Sequence, residues 1–419
     1  MKTSTDRGFL ANRREFVLAA VGFAFARAIP RADSQPVPVL LFSAAELKRV
    51  KKALRAPGGL ETHAKQMRAN AEKALSDGPW SVTYQRPKSV DASPNDYYSE
   101  ASYWWPDPQN PDGPYILRDG EKNPHRFLAN YNAMVAMSDA VLALGQAAFF
   151  LDDAGCAQRA ATVLDVWFLD AKTRMNPNLE YGQGVPRRST GRATGIIDTT
   201  ALTHCVLGIS LAEASGRLDR SLAAGVRRWY ADFLKWLTTS SKGLEEKEAS
   251  NNHSTWWTAQ VAAYASFTND VANQKMAWNH YRHRLLPSQV QPDGGCPNEE
   301  RRTRSLSYSA MNLDGFSVLC RLGEMNGEDL WRYRTPAGIG IEKAFSYLMP
   351  FVLEPNSWRK QQITGFDQDR IVYLGLAGLA LRVPEMLSAY RKLPRSPSPW
   401  VQLVDLLVRS AASGSENPA

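Results

Sequence analysis

The chain has 419 residues, of which 44% are hydrophobic, 22% charged and 10% aromatic. That balance excludes a disordered chain, a collagen-like repeat and a disulfide-built miniprotein. Lys and Arg number 50 against 42 Asp and Glu, a net +8, which suits an acidic partner but is too modest, without a basic stripe or reading motif, for nucleic-acid binding.

The N-terminus reads as an export address. Asn12-Arg13-Arg14-Glu15-Phe16-Val17-Leu18 resembles a twin-arginine signal, an apolar run follows from Phe16 to Ala26, and Ala26-Arg27-Ala28 gives the small-x-small pattern that a signal peptidase reads. The run is too short to span a bilayer as a helix, and no later stretch approaches the roughly 18 uncharged apolar residues of a membrane span. Residues 1–28 are therefore expected to be a leader, and the remainder a periplasmic or secreted protein.

From residue 40 onward the pattern is helical. Leu222, Val226, Trp229, Phe233, Trp236 and Leu237 form one apolar stripe, with Arg227, Arg228, Asp232 and Lys235 off it. Leu128, Tyr131, Val135, Leu142 and Phe149 mark another helix. Similar patterns cover about 157–169, 200–214, 254–267, 271–285, 309–324, 342–353, 369–382 and 398–411, with stops at Gly216, Asn326-Gly327 and Pro384. No region alternates as strands do. Helices paired across loops predict stacked hairpins in one domain over 40–412, with a disordered tail at 413–419. Three long segments, 85–125, 172–198 and 286–303, read as non-helical, and loops of that length in a compact domain are usually functional.

The four cysteines, Cys156, Cys205, Cys296 and Cys320, form no CxxC, and no Cys/His cluster has zinc spacing. Cys205 and Cys320 fall in apolar stretches and read as buried thiols. His280 and His283 are three apart on one helix and read as surface residues, not as a metal site. Asp198, just ahead of an apolar helix, reads as its N-cap.

Several segments, in order, carry a family resemblance: Tyr103-Trp104-Trp105-Pro106-Asp107-Pro108, Arg118-Asp119-Gly120-Glu121-Lys122-Asn123-Pro124, Trp167 through Met175-Asn176-Pro177 to Asp198, Asn251-Asn252-His253-Ser254-Thr255-Trp256, and Arg302-Thr303-Arg304-Ser305-Leu306-Ser307-Tyr308-Ser309. Together they resemble the alginate lyase superfamily of polyuronate lyases. The resemblance implies an all-α fold, an incomplete (α/α) toroid of about six to seven antiparallel helix hairpins. It also implies β-elimination on a uronic-acid polymer, with Asn252, His253, Arg302 and Tyr308 as the catalytic set; because no metal-ligand cluster is visible and Asn252 with Arg302 can neutralise a carboxylate, no cofactor or metal is expected. The better-known alginate lyases place the Arg seven residues before the Tyr, a spacing that Arg301 has. Arg302, six before Tyr308, takes the family position when counted from Pro297. The six-residue spacing resembles a more distant branch acting on polymannuronate or polyglucuronate.

These residue types suit the chemistry. β-Elimination removes the C5 proton and expels the C4 oxygen, and the neighbouring carboxylate must be neutralised for the enolate-like intermediate to form. Asn252 offers an amide and Arg302 a permanent charge with a carboxylate-matching fork. Tyr308 is a candidate for both base and acid, with its pKa lowered by the Arg302 cation. His253 is the other candidate base, or a second neutralising group. Asn252 also suits a helix N-cap. For substrate contact the candidates are Tyr103, Trp104, Trp105, Arg118, Tyr181, Gln183, Arg192 and Trp256. A glycoside hydrolase would need two carboxylates across the cleft, from among Glu299, Glu300, Asp293 and Asp198. A non-catalytic binder of acidic glycans would need the tryptophans and arginines but not the Asn-His and Arg-Tyr pairs.

The leader generates the first prediction. N-terminal sequencing of the protein exported by its native host should begin at residue 29, directly after Ala28. A product that retains Met1 and stays in the cytoplasm would overturn it.

Overall fold

In the computed structural model, which describes residues 39–57, 60–87 and 91–412, the first helix starts where the sequence supplies both halves of a capping box. Ser43 accepts from the Glu46 amide and Glu46 reaches back to the Ser43 amide, satisfying two donors that a helix start leaves open. The expected leader and tail lie outside the described residues.

Two helices, α1 (Ala44–Arg55) and α2 (Glu61–Ser76), precede an irregular stretch with three short strands, β1 (Tyr98–Glu100), β2 (Trp104–Trp105) and β3 (Ile116–Leu117). α3 (Ala129–Phe150) and α4 (Ala154–Leu164) form a hairpin, followed by β4 (Tyr181–Gly184). The chain continues through α5 (Ala201–Ala214), α6 (Arg220–Thr239), α7 (Ser241–Lys247), α8 (Asn252–Thr268) and α9 (Val271–His280). Two single turns, α10 (Leu286–Gln289) and α11 (Pro297–Glu300), lead to α12 (Ser305–Met325). α13 (Ile341–Leu353), α14 (Tyr373–Leu381), α15 (Pro384–Lys392) and α16 (Pro399–Ala412) complete the described chain.

α3, α5, α8, α12 and α14 pack one against the next, and α16 reaches both α14 and α3. The architecture is an all-α toroid of helix hairpins. Its inner helices are enclosed on nearly every side: in α8 only His253, Ser266 and Thr268 are partly exposed. The outer helices keep the one-sided stripe read in the sequence. In α6, Val226, Trp229, Phe233 and Leu237 are buried while Arg228, Asp232 and Lys235 face solvent.

Enclosure explains one departure from expectation. Two helical stretches, Ala129–Phe150 and Ala193–Ala214, are long and apolar enough to cross a bilayer, yet most of each is buried inside the protein; a helix surrounded by other helices is apolar all round. Pro384 is another. It opens α15 at the first helical position, where its missing N–H costs nothing, and α14 ends at Arg382 in a left-handed conformation. The long segments are also not featureless. β1 pairs in parallel with β4 and β2 antiparallel with β3, a 3-10 stretch runs from Ala193 to Thr200, and α10 and α11 interrupt the third. All four cysteines are buried free thiols.

α3 and α5 cross with their backbones in contact. A Cβ added at Gly145 would lie 2.1 Å from the Gly208 carbonyl oxygen, and one at Gly208 would lie 2.6 Å from the Leu142 Cα. The two backbones touch, so any side chain there must push the inner helices apart. Gly208→Ala should lower stability by about 1–3 kcal/mol, the usual cost of overpacking. The measurement is the urea midpoint, and an unchanged midpoint would show that the crossing is slack.

Candidate active site

A cleft of about 680 Å³ opens at the end of the toroid where α8 and α12 begin. Asn252, His253, Arg302 and Tyr308 all line it, as do Tyr103, Trp104, Gln183 and Arg192. Two helix starts and the long segments thus bring together residues up to about 200 positions apart.

Asn252 is the first residue of α8. Asn251 stands at the cap position but makes no side-chain cap. The open helix start is satisfied from another segment: Glu299, on α11, accepts from the Asn252 backbone N at 2.5 Å and from its Nδ2 at 3.0 and 2.9 Å. A carboxylate at a helix N-terminus also complements the helix dipole. The Asn252 amide is therefore oriented by Glu299 rather than standing free. Burial pushes the Glu299 carboxyl up, and the Asn252 donors oppose that shift.

His253, one residue on, places Nδ1 2.5 Å from Oε1 of Glu246, a buried residue of α7. Donation from Nδ1 to the carboxylate leaves Nε2 as the free ring nitrogen. Burial pulls the imidazole pKa down, but the charge and hydrogen bond of Glu246, with help from Glu299, raise it above its ordinary value.

Arg302 grips Asp119 with both arms of its fork, Nε at 3.1 Å and an Nη at 2.6 Å. Asp119 also accepts from Thr303 Oγ1 at 3.0 Å, and these donors hold its carboxyl below the usual range in spite of burial. The guanidinium lies over the Tyr308 ring, 4.2 Å from its centroid. Arg301 is exposed and outside the cleft, so Arg302 is the arginine of the site.

The Tyr308 hydroxyl is hydrogen-bonded to the Tyr103 hydroxyl. Its pKa departs from expectation. Burial first, then Tyr103, push the phenol far above its ordinary value, and Arg302 pulls it down without prevailing. A guanidinium already paired with Asp119 cannot offset desolvation of the phenolate. The phenol is protonated at rest.

On the opposite wall, Gln183 sits at φ +50°. Its Nε2 donates to Asp198 at 2.7 Å, and Arg192 donates to its Oε1 and to its carbonyl oxygen, both at 3.0 Å. Asp198 is buried and also accepts from Tyr97 and from Ser99 Oγ, at 3.0 and 2.6 Å. It anchors this wall and does not cap the following helix as expected.

Four expected contact residues lie outside the cleft. Trp256 is 8% exposed, and its Nε1 donates to the Met311 carbonyl on α12, which makes it a helix-packing residue. Trp105 donates to the Glu121 carbonyl at 2.9 Å and carries Arg118 over its ring at 5.1 Å, so these two brace the β2–β3 hairpin. Tyr181 turns its hydroxyl toward the Asp91 carbonyl. Trp104 does line the cleft, with the guanidinium groups of Arg188 and Arg192 4.8 and 5.8 Å from its ring centroid. His280 is buried against Ser254 Oγ at 3.0 Å, not exposed. Sequence reasoning assigned no role to Asp119 or Glu246, because nothing local marks a carboxylate as the partner of a particular cation. It also missed Lys122, Arg126 and Arg304, which line the same cleft.

The carboxylates considered for hydrolysis are all engaged. Glu299 and Asp198 are held as described, Glu300 pairs with Lys360, and Asp293 accepts from the Gly295 amide at 2.9 Å. Among the described residues no group of three or more His, Cys, Asp or Glu side chains is arranged to hold a metal ion.

The helical toroid thus carries at one end a single cleft lined by Asn252, His253, Arg302 and Tyr308. The alginate lyase family matches residues 81–358 of the chain. An alginate lyase from Bacteroides ovatus superposes with a TM-score of 0.82 at 32% identity, covering 89% of this chain and 99% of that one. Alginate lyase A1-III from Sphingomonas species A1 shares the fold, with a TM-score of 0.50 at 16% identity over 76% of this chain and 87% of its own. No curated protein sequence matches. The chain belongs to the alginate lyase family and is a polysaccharide lyase.

Proposed function

We propose that the cleft cleaves a 4-linked polyuronate by β-elimination, with polymannuronate as the favoured substrate and glucuronan, its C2 epimer, as the alternative. The observation that carries this is Arg302, held bidentately by Asp119 and laid over Tyr308, in one cleft with Asn252 and His253. Arg302 supplies the charge that neutralises the substrate carboxylate, and Asn252 supplies an amide aimed by Glu299. Tyr308, protonated at rest, gives its proton to the departing C4 oxygen. His253 Nε2 takes the C5 proton. The C5–H electron pair becomes the C4–C5 double bond as the C4–O bond breaks, and the imidazolium proton then returns to Tyr308. Products carry a 4,5-unsaturated uronate that absorbs in the ultraviolet. A hydrolase or a binding protein would give no such absorbance.

A second reading makes Tyr308 both base and acid. The Arg302 guanidinium over the Tyr308 ring favours it, since that cation draws the phenol's pKa down. In that reading His253 only helps hold the carboxylate.

Two measurements test these roles. Tyr308→Phe should lower kcat on polymannuronate by about 10²-fold or more while polymer binding persists; a variant that keeps more than a tenth of kcat removes Tyr308 from both readings. Glu246→Gln separates them. With His253 as base, activity rises with pH as the imidazole loses its proton, and Glu246 raises that pKa. The variant should therefore shift the acid limb of kcat to lower pH and lose about 10²-fold or more as the tautomer is no longer held. An acid limb that does not move assigns the base to Tyr308.

A further inference from the structure

Glu299 aims the Asn252 amide, and the peptide that precedes Asn252 is also held from its other side, by a residue outside the cleft. Gln289 closes α10, is 1% exposed and does not line the cleft. Its Nε2 donates to the Asn251 carbonyl at 3.1 Å, while Glu299 accepts from the Asn252 N–H of that same peptide. One residue back, Asn298 Nδ2 donates to the Ser250 carbonyl at 2.6 Å. Side chains from the segment between α9 and α12 thus hold consecutive backbone groups at the start of α8. The Asn251 carbonyl also accepts from the Ser254 amide, but that bond lies within the helix and does not tie it to a neighbour.

The oxygen of the same amide reaches the other way. Gln289 Oε1 accepts from Thr255 Oγ1, on α8, at 3.1 Å and from Asn312 Nδ2, on α12, at 3.0 Å. Both partners are buried, and Asn312 stands one helical turn beyond Tyr308. One side chain therefore joins the first turn of α8, which carries Asn252 and His253, to the helix that carries Tyr308. Its orientation is set by its partners: the Asn251 carbonyl can only accept, so the amide must turn its nitrogen there and its oxygen toward Thr255 and Asn312. The backbone beneath it is fixed by Leu285, Leu286 and Val290, all buried. An apolar side chain of similar length would fill the space between the helices without desolvating an amide. What the amide adds is geometry, because a buried group hydrogen-bonded at both ends admits one arrangement of its partners.

We infer that Gln289 is a positioning residue for the elimination: it fixes the Asn251–Asn252 peptide, and sets it relative to the Tyr308 helix, so that the Asn252 amide meets the substrate carboxylate. The inference rests on the elimination proposed above and extends its machinery to a residue that touches neither cleft nor substrate. A peptide gripped only at its N–H by Glu299 can swing about that contact, and a second hydrogen bond at its carbonyl removes the rotation.

The test compares Gln289→Met with Gln146→Met. Gln146, on α3, is equally buried and donates to the Pro399 carbonyl at 3.0 Å, away from the cleft. Both substitutions remove a buried amide and keep the length of the side chain, so both should lower the urea midpoint. Without urea, on a polyuronate that the unmodified protein cleaves, Gln289→Met should lose about tenfold to a hundredfold in kcat, the scale of reacting groups displaced by about an ångström. kcat/KM should fall in parallel, with KM little changed, and Gln146→Met should keep its kcat. Equal kcat in the two variants overturns the positioning role, as does a loss confined to KM. Should Gln289→Met not fold, Thr255→Val removes one donor that holds the amide; a smaller loss in kcat supports the inference and an unchanged kcat overturns it. A crystal structure of the Gln289 variant, or of Thr255→Val in its place, gives a readout that needs no turnover: Asn252 Nδ2 should have moved off Glu299, and an unmoved amide overturns the inference. The lyase reading fails separately, when the unmodified protein releases no ultraviolet-absorbing product from any polyuronate; the position of Asn252 then still decides whether Gln289 holds it.

Discussion

The bidentate contact between Asp119 and Arg302 is the constraint on which the reactive side of the cleft depends. A guanidinium on a long side chain samples many positions, and here it must lie flat on Tyr308 and face a carboxylate. Asp119 removes that freedom, and Thr303 fixes Asp119 in turn. The same solution recurs around the site. Glu299 stands behind Asn252, Glu246 behind His253 and Asp198 behind Gln183. Burying a carboxylate is costly unless it is paired and hydrogen-bonded, and each of these acids meets that requirement through a cleft residue. Satisfying the acid and aiming the reactive group are one interaction, which is how a site becomes preorganised.

The fold supplies the positions from which this is possible. α8 and α12 are neighbouring inner helices, and the segments that begin them face the cleft together. α7 precedes α8 directly and carries Glu246 back against its first turn. α11 does the same for Glu299 from the segment before α12. The inner helices can approach closely because Gly145 and Gly208 let α3 and α5 touch backbone to backbone.

Much of this was legible in sequence, and the exceptions have physical causes. The stripe of α6 and the stops at Gly216 and Asn326-Gly327 stood out because a helix with one wet face writes its period into the chain. Inner helices have no wet face, so α3 and the stretch ending in α5 are long and apolar enough to cross a bilayer although most of each is buried inside the protein, which the sequence reading did not register. Asn252, His253, Arg302 and Tyr308 were found by their motifs and do share one cleft. Trp256 was misplaced because an aromatic in the first turn of an enclosed helix has the same local sequence whether it faces ligand or a neighbouring helix. Asp119 and Glu299 were invisible as partners because they act across 183 and 47 residues. The pKa of Tyr308 was misjudged for a related reason: a neighbouring cation is readable from spacing, whereas burial and a second phenol are properties of the folded state.

The pairing of Arg302 bears on the elimination proposed above. In that proposal the positive charge beside the reacting carbons is already balanced by Asp119 in the free protein. A balanced guanidinium would draw a ground-state carboxylate only moderately, while its fork stays in place to meet the charge that would grow as the C5 proton leaves. Interactions that strengthen in the transition state raise turnover, and those equally strong in the ground state only tighten binding. Arg304, two residues on, spends Nε on the Thr364 hydroxyl instead, so the carboxylate behind Arg302 is what distinguishes the two cations of one segment.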